Sequence, residues 1–392
     1  MKTIKIGIFG LMIMLMSSVM TTRVEAASSD GYDYYRGGSA TSTNAAKDHG
    51  TTLDDSKLLD YRVEEADKNG IKYFTMKDYM SSSKSYYTIP GLNNTNVLGE
   101  DCSTMVPQGI CRMDDNILIT AYDSAEEKKS VIYVLNENSK LEATLVYCNK
   151  AHLGGITYDG KYVWIAEGSG ADEGKNYVGA ISKDTMTRAV NVSKNKSAKS
   201  VALNNDKHIK RQKVSGLAST SYCTYFDNRL WVGTFDDDSV SKIYGYKVDY
   251  TYSKPKLNVD RYIEAPKKTQ GICFYKAYGT VYLGVSTSYG RDNDSVIRCY
   301  KPSYYNTKMY YDPEYEKKIA QIFKNDAYRT LTIPSMSEQV SVYGASMYCI
   351  FESAAYKYLN QHDNFWEKTF HNNHSERPIG SFCIFSVDKI FK

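Results

Sequence analysis

The chain is short of ready-made chemistry. It has no Gly-x-Ser-x-Gly elbow, no phosphate-cradling glycine loop and no His-Glu-x-x-His pair. Those absences remove the sequence signatures of the α/β-hydrolases, the P-loop nucleotide enzymes and the zincins. Histidines number six in 392 residues, so imidazole chemistry has few places to sit. No charge of one sign dominates: 49 Lys and Arg are scattered among 45 Asp and Glu. Without a basic stripe, nucleic acid is not expected as a partner. The one locally basic stretch, Lys207 to Lys213, reads as a solvated loop. Long apolar runs are confined to residues 6–20.

That single run follows Lys2 and Lys5 and precedes Val24-Glu25-Ala26. A basic start, an apolar core and a small residue before the cut describe a signal peptide over residues 1–26. The run is shorter than the ~20 apolar residues a membrane span needs. The expected product is a secreted protein, extracellular or envelope-associated, monomeric, with no transmembrane segment after cleavage. Eight cysteines in an exported chain invite disulfides. Their placement argues otherwise, because Cys111, Cys223 and Cys273 occupy equivalent positions in a repeat and behave as small hydrophobes. Cys102 with Cys111 is the pair to check for a bridge.

What is present is a strand phrase that returns five times. Gln108-Gly-Ile-Cys leads into Ile117-Leu-Ile-Thr-Ala-Tyr-Asp123 and then Ser130-Val-Ile-Tyr-Val. Gly154-Gly-Ile-Thr-Tyr leads into Tyr162-Val-Trp-Ile-Ala-Glu167, and further rounds start near residues 219, 270 and 339. Repeats on this scale indicate a propeller or solenoid. The expectation is an all-β propeller of four-stranded antiparallel blades, five favoured, with a sixth within residues 56–90 left open. Residues 27–84 read as a flexible leader and small cap, and residues 85–392 as the propeller. Insertions are expected at residues 193–213, 302–328 and 353–379.

Outer strands stopped by proline recur at Asp260 to Pro266 and at Arg329 to Pro334. Ser85-Tyr-Tyr-Thr-Ile-Pro90 has the same form, whereas the last round has no outer strand of its own. The N-terminal strand is therefore expected to close the ring, removing two open sheet edges. Trp164 and Trp231 occupy matching positions and read as blade packing.

The repeat phase also says what should meet at the channel. Inner strands start at one face, and second strands return to it. One converging set is Gln108, His152, Gln270 and Gln339. The other is Asp123, Glu167, Asp236 and Glu352. The first reading gives Gln108, Gln270 and Gln339 to a ligand, with Tyr356 and Trp366 from the last insertion as aromatic contacts. In the second, His152 and Glu167 form a catalytic base with its orienting group. Asp123, Asp236 and Glu352 are the candidate metal ligands, for Ca2+ or Mg2+. A third reading has each side chain satisfying its own turn.

The phrases Pro107-Gln-Gly-Ile, His152-Leu-Gly-Gly-Ile, Trp231-Val-Gly-Thr and Thr269-Gln-Gly-Ile resemble the repeats of secreted bacterial propellers of the broad streptogramin-lyase and NHL-like group. The resemblance spans roughly residues 85 to 390 and implies blade construction. It also implies a histidine on the channel face with magnesium, which only His152 matches. Five-bladed glycoside hydrolases offer another comparison, in which acids start the inner strands. Here those starts are Gln108, Gly154, a Ser/Thr segment, Gln270 and Gln339. The expected function is accordingly a non-enzymatic propeller binding an extracellular glycan, peptide or surface protein through its channel face. The alternative is a divalent-metal-assisted lyase or hydrolase at the channel mouth.

Overall fold

A strand that is apolar on both faces must be covered on both faces, and the inner strands are of this kind. Ile110 and Cys111, Tyr222 and Cys223, and Ile272 and Cys273 point successive side chains into different apolar clusters. A radial stack of sheets supplies that cover. The computed structural model describes residues 31–44, 55–82, 84–170, 174–301, 309–312, 317–321, 327–359 and 378–392.

Five blades result. Blade I runs Met105–Met113, Asn116–Asp123, Val131–Leu135 and Leu141–Val146. Blade II runs Gly155–Tyr158, Tyr162–Ala166, Tyr177–Ser182 and Ile209–Lys213. In blade III the strands are Tyr222–Phe226, Arg229–Gly233, Ser241–Asp249 and Lys256–Ala265. Blade IV has Thr269–Ala277, Thr280–Thr287, Ser295–Tyr300 and Arg329–Ile333. Blade V has Ser337–Tyr343, Ser346–Phe351 and Ser381–Ser386. Its outer strand is Tyr86–Thr88, antiparallel to Ser381–Ser386. The N-terminal strand thus closes the ring, as its proline-stopped form predicts.

The first strands of successive blades touch all the way round, V meeting I. An apolar cluster fills each wedge between neighbouring blades. Trp164 and Trp231 are fully buried in two of them. Tight hairpins follow from local chemistry: Asp227 and Asn228 both take positive φ (52° and 57°) between Phe226 and Arg229. That is the geometry of a two-residue type I′ turn, which Asn and Asp tolerate.

Two stretches depart from expectation. The insertion at 193–213 is largely ordered as elements: a helix spans Lys183–Lys196, with Ser182 accepting from the Thr185 amide as its N-cap. Lys207 to Lys213 is not a solvated loop, because Ile209–Lys213 is the outer strand of blade II. Its Arg211 is buried because it has an acid to meet there. The described part of the segment before residue 85 adds to sheet edges. Tyr34–Tyr35 pairs with Ser200–Ala202 beyond blade I. The hairpin Arg62–Asp67 and Gly70–Thr75 extends blade IV. All eight cysteines are free thiols, and Cys102 and Cys111 are unbridged. No helix among the described residues is long and apolar enough to cross a membrane.

Candidate active site at the channel mouth

Three of the five inner strands carry a register shift at their start. In blade I it falls between Pro107 and Ile110, in blade IV between Thr269 and Gly271, and in blade V between Ser337 and Val340. Blades II and III pair regularly. A bulge inserts a residue and re-aims side chains. The residues so placed are Gln108, Gln270, and the adjacent pair Glu338 and Gln339.

Gln339 goes to the axis. Its Oε1 accepts from the Ile110 and Ile156 amides (3.0 and 2.9 Å), and its Nε2 donates to the Ile156 and Cys223 carbonyls (2.8 Å each). One amide therefore ties the inner strands of blades I, II and III to blade V. Gly109 leaves room for it, since a Cβ there would lie 2.8 Å from Gln339 Oε1 and 2.6 Å from Thr120 Oγ1. Gln339 is fully buried with both amide atoms spent on the backbone, so it plugs the channel and leaves nothing to offer a ligand.

Glu338 goes to the mouth. It meets Glu352, which follows the second strand of the same blade, and the two carboxyls hydrogen-bond each other. Gln270 Nε2 donates to Glu338 Oε1 (3.0 Å), and Gln108 Nε2 donates to Glu352 Oε2 (3.0 Å). The Tyr358 phenol donates to Glu352 Oε2 (3.2 Å) from the short turn Tyr356–Tyr358. Tyr122 hydrogen-bonds Tyr358 in turn and stacks on His152, with ring centroids 4.0 Å apart. Arg291 lies 5.0 Å from the Tyr358 ring centroid. Blades IV, V, I and II thus each contribute to one sector of the mouth.

The electrostatics of the pair are asymmetric. Burial, then the charge and hydrogen bond of Glu352, push the Glu338 carboxyl well above its ordinary 4.5. Burial also raises Glu352, but Tyr358, Lys357 and Gln108 oppose that rise. Two carboxyls in contact cannot both ionise cheaply, so they hold one proton between them. That proton belongs on Glu338, with Glu352 as the acceptor. Burial lowers the His152 pKa, and Lys357 adds to the effect, so this imidazole is neutral at pH 7.

The remaining acids marked by repeat phase are engaged elsewhere. Asp123 accepts from the Ala125, Glu127 and Lys128 amides (3.0, 2.9 and 2.8 Å) and from Thr104, holding its own turn. Asp236 accepts from the Asp238 and Ser239 amides (3.0 and 2.6 Å). Glu167 is fully buried between blades, bound by Arg211 through Nε and Nη2 (2.7 Å each) and by the Tyr147 phenol (2.8 Å). Its carboxylate is thus engaged by Arg211 and Tyr147, and no hydrogen bond pairs it with His152 among the described residues. Among the described residues no group of three or more His, Cys, Asp or Glu side chains is placed to hold a metal ion. Tyr356 is half-buried at the start of the turn that carries Tyr358. Trp366 lies outside the described residues.

Gln108, Gln270, Glu352 and His152 are thus near one another as the phase predicts. Glu338 and Tyr122 were not marked. The signal for Glu338 was an acid next to Gln339 at an inner-strand start, hidden because a regular strand sends neighbours to opposite faces.

No protein-family model matches this sequence, and no curated protein is similar to it. Solved structures are similar in fold. One is a thermostable family-43 glycoside hydrolase, 9% identical, with a TM-score of 0.39, covering 72% of this chain and 88% of that one. Another is the GH43 endo-arabinanase from Bacillus licheniformis, 13% identical, with a TM-score of 0.34, covering 65% and 90%. These likenesses are of fold alone. The expectation of a non-enzymatic binding propeller is corrected at the mouth, which carries a buried carboxyl pair in contact, Glu338 with Glu352, in place of turn-satisfying groups.

Proposed function

We propose that this chain is an exported hydrolase acting on a glycan at the mouth of its propeller channel. The observation that carries the reading is the Glu338–Glu352 pair, two carboxyls in buried contact whose pKa values are both raised, Glu338 the more strongly, each held by a glutamine from a neighbouring blade. Perturbed titratable pairs in a concave site are what acid–base catalysis requires. Amides, phenols and carboxyls both donate and accept, which suits a neutral, hydroxyl-rich ligand, and Tyr122 and Tyr358 offer apolar ring faces.

In this reading Glu338 is the general acid. It gives its proton to the departing glycosidic oxygen as the carbon–oxygen bond breaks. Glu352 accepts a proton from the water whose oxygen forms the new bond to that carbon. Net proton transfer back to Glu338 resets the pair. The carboxyls touch in the free protein, whereas working glycosidase pairs stand about 5–9.5 Å apart. The scissile group must therefore enter between them, and Gln108 and Gln270 draw them to opposite sides.

That direct contact favours a second reading. Carboxyls sharing one proton also activate water for amide hydrolysis, so peptide is the other substrate class to assay. The resemblance to streptogramin-lyase propellers supplies a third reading, with the neutral His152 as its base. Glu338→Gln separates the two carboxyl-pair readings from this one, since a lyase based on His152 would survive it. Release of reducing ends from neutral polysaccharides, arabinan first, is the test. Loss of about 10²- to 10⁴-fold in E338Q is expected. Unchanged turnover in E338Q would exclude the reading.

Export rests on residues 1–26, which lie outside the described residues. Protein recovered from culture fluid should begin at Ala27. Recovery solely from cells, with Met1 intact, would contradict export.

A further inference from the structure

The turn Tyr356–Tyr358 folds back on the residue it grows from. The Ala355 amide donates to the Glu352 carbonyl (2.9 Å), and the Tyr358 amide donates to the Ala355 carbonyl (2.8 Å). Two tight steps of chain therefore return Tyr358 to Glu352. Its ring is buried in the wedge between blades V and I, in one apolar cluster with Met105, Tyr122, Met336 and Ala354. That packing leaves the phenol on Glu352 Oε2, at 3.2 Å.

A phenol has one hydrogen to give. That of Tyr358 goes to Glu352, so Tyr122, which hydrogen-bonds Tyr358, donates to the Tyr358 oxygen. The donors run in one direction, Tyr122 to Tyr358 to Glu352, and such a chain is strongest when its last acceptor carries the charge. Glu352 receives this chain as well as the Gln108 amide, where Glu338 receives the Gln270 amide. We propose that Tyr358 is the positioning residue that assigns the shared proton: its phenol, backed by Tyr122, holds Glu352 as the carboxylate and leaves the proton on Glu338. The inference rests on the hydrolase reading for the reaction it serves, and on this geometry for where the proton lies. Lys357 adds positive charge near Glu352 and Arg291 near Tyr358, while Glu126 adds negative charge near Tyr122. His152, stacked on Tyr122, is a second group that titrates in the acid range, so the readout is taken on the glutamate itself.

The test titrates ¹³C-carboxyl-labelled glutamate in the full mature protein by NMR. In Glu338→Gln, Glu352 is the member of the pair left to titrate, and its signal is the one lost when Glu352→Gln is added. Adding Tyr358→Phe, which keeps the ring and removes the hydrogen, is expected to raise the Glu352 midpoint by about one pH unit or more, the strength of a hydrogen bond to a charged group. In otherwise wild-type protein, Tyr358→Phe should move the acid limb of the pH–activity profile up by a similar amount. The alkaline limb should stay in place, because Glu352 is ionised on both sides of that step. If Tyr358→Phe does not fold, Tyr122→Phe decides, with a smaller shift in the same direction. An unmoved Glu352 midpoint, or a profile lowered in height with both limbs in place, would overturn the proposal. A raised midpoint in a protein that cleaves no glycan would uphold this inference and remove the hydrolase reading.

Discussion

At the residue scale, the Glu338–Glu352 pair ties both activity and stability to pH. The proton on Glu338 is held above the ordinary 4.5 of a free glutamic acid. Below 4.5, folded and unfolded chains both carry it. As pH rises above 4.5 the unfolded chain releases the proton while the folded chain keeps it, so stability falls until the raised folded pKa is passed. Glu338→Gln keeps the shape without the titration. Urea melts should therefore show the variant more stable than wild type at pH 8, with the difference closing towards pH 4. A constant difference at both pH values would contradict the assigned proton. Activity should be bell-shaped, lost at low pH when both carboxyls are protonated and at high pH when neither is.

Arg211 and Glu167 make the complementary case. The pair is buried and bidentate, with Tyr147 completing the acid's partners. Arg211→Ala strands a carboxylate in the wedge between blades. About 3–5 kcal/mol of unfolding free energy should be lost, measurable in the same urea melts. A loss under 1 kcal/mol, the worth of an exposed pair, would mean the pair is solvated.

At the scale of the element, the bulged inner strands decide the chemistry. In blade V one extra residue lets Glu338 face the mouth while Gln339 faces the axis. Gln339→Ala would leave two amides and two carbonyls of the inner strands without partners. At roughly 1–3 kcal/mol for each buried orphan, without full additivity, about 3 kcal/mol or more should be lost. Calorimetric melting checks this, and a near-wild-type melting temperature would count against the plug.

The strand phrase was legible because hydrophobic period and turn residues agree in every round. Even the closing strand Tyr86–Thr88 was legible, through its likeness to Arg329–Ile333 ahead of a proline. Phase counting brings Gln108, Gln270 and Glu352 together, and in the structure they meet around Glu338. It failed at Asp123, Glu167 and Asp236, because their carboxylates are taken up by nearer turn amides or by Arg211. It failed at Glu338 because phase counting gives one residue to each register position, and a bulge gives two. It misread Lys207 to Lys213 because the partner that buries Arg211 lies 44 residues away.

At the scale of the whole molecule, the ring is held by closure and by apolar wedges between blades, with eight thiols and no disulfide. Reducing agent should leave the melting temperature unchanged, and a drop would reveal a bridge. Tyr86–Thr88 completes blade V, so a chain beginning at residue 91 leaves Ser381–Ser386 as an open edge. That chain should lose cooperative unfolding and aggregate.

The most direct test of the account compares wild type and Glu338→Gln on neutral polysaccharides across pH, measuring reducing ends released. A bell-shaped profile in the wild type, reduced about 10²- to 10⁴-fold in the variant, is predicted. No release by the wild type from any glycan, or equal release by both proteins, would contradict a hydrolase working through this pair.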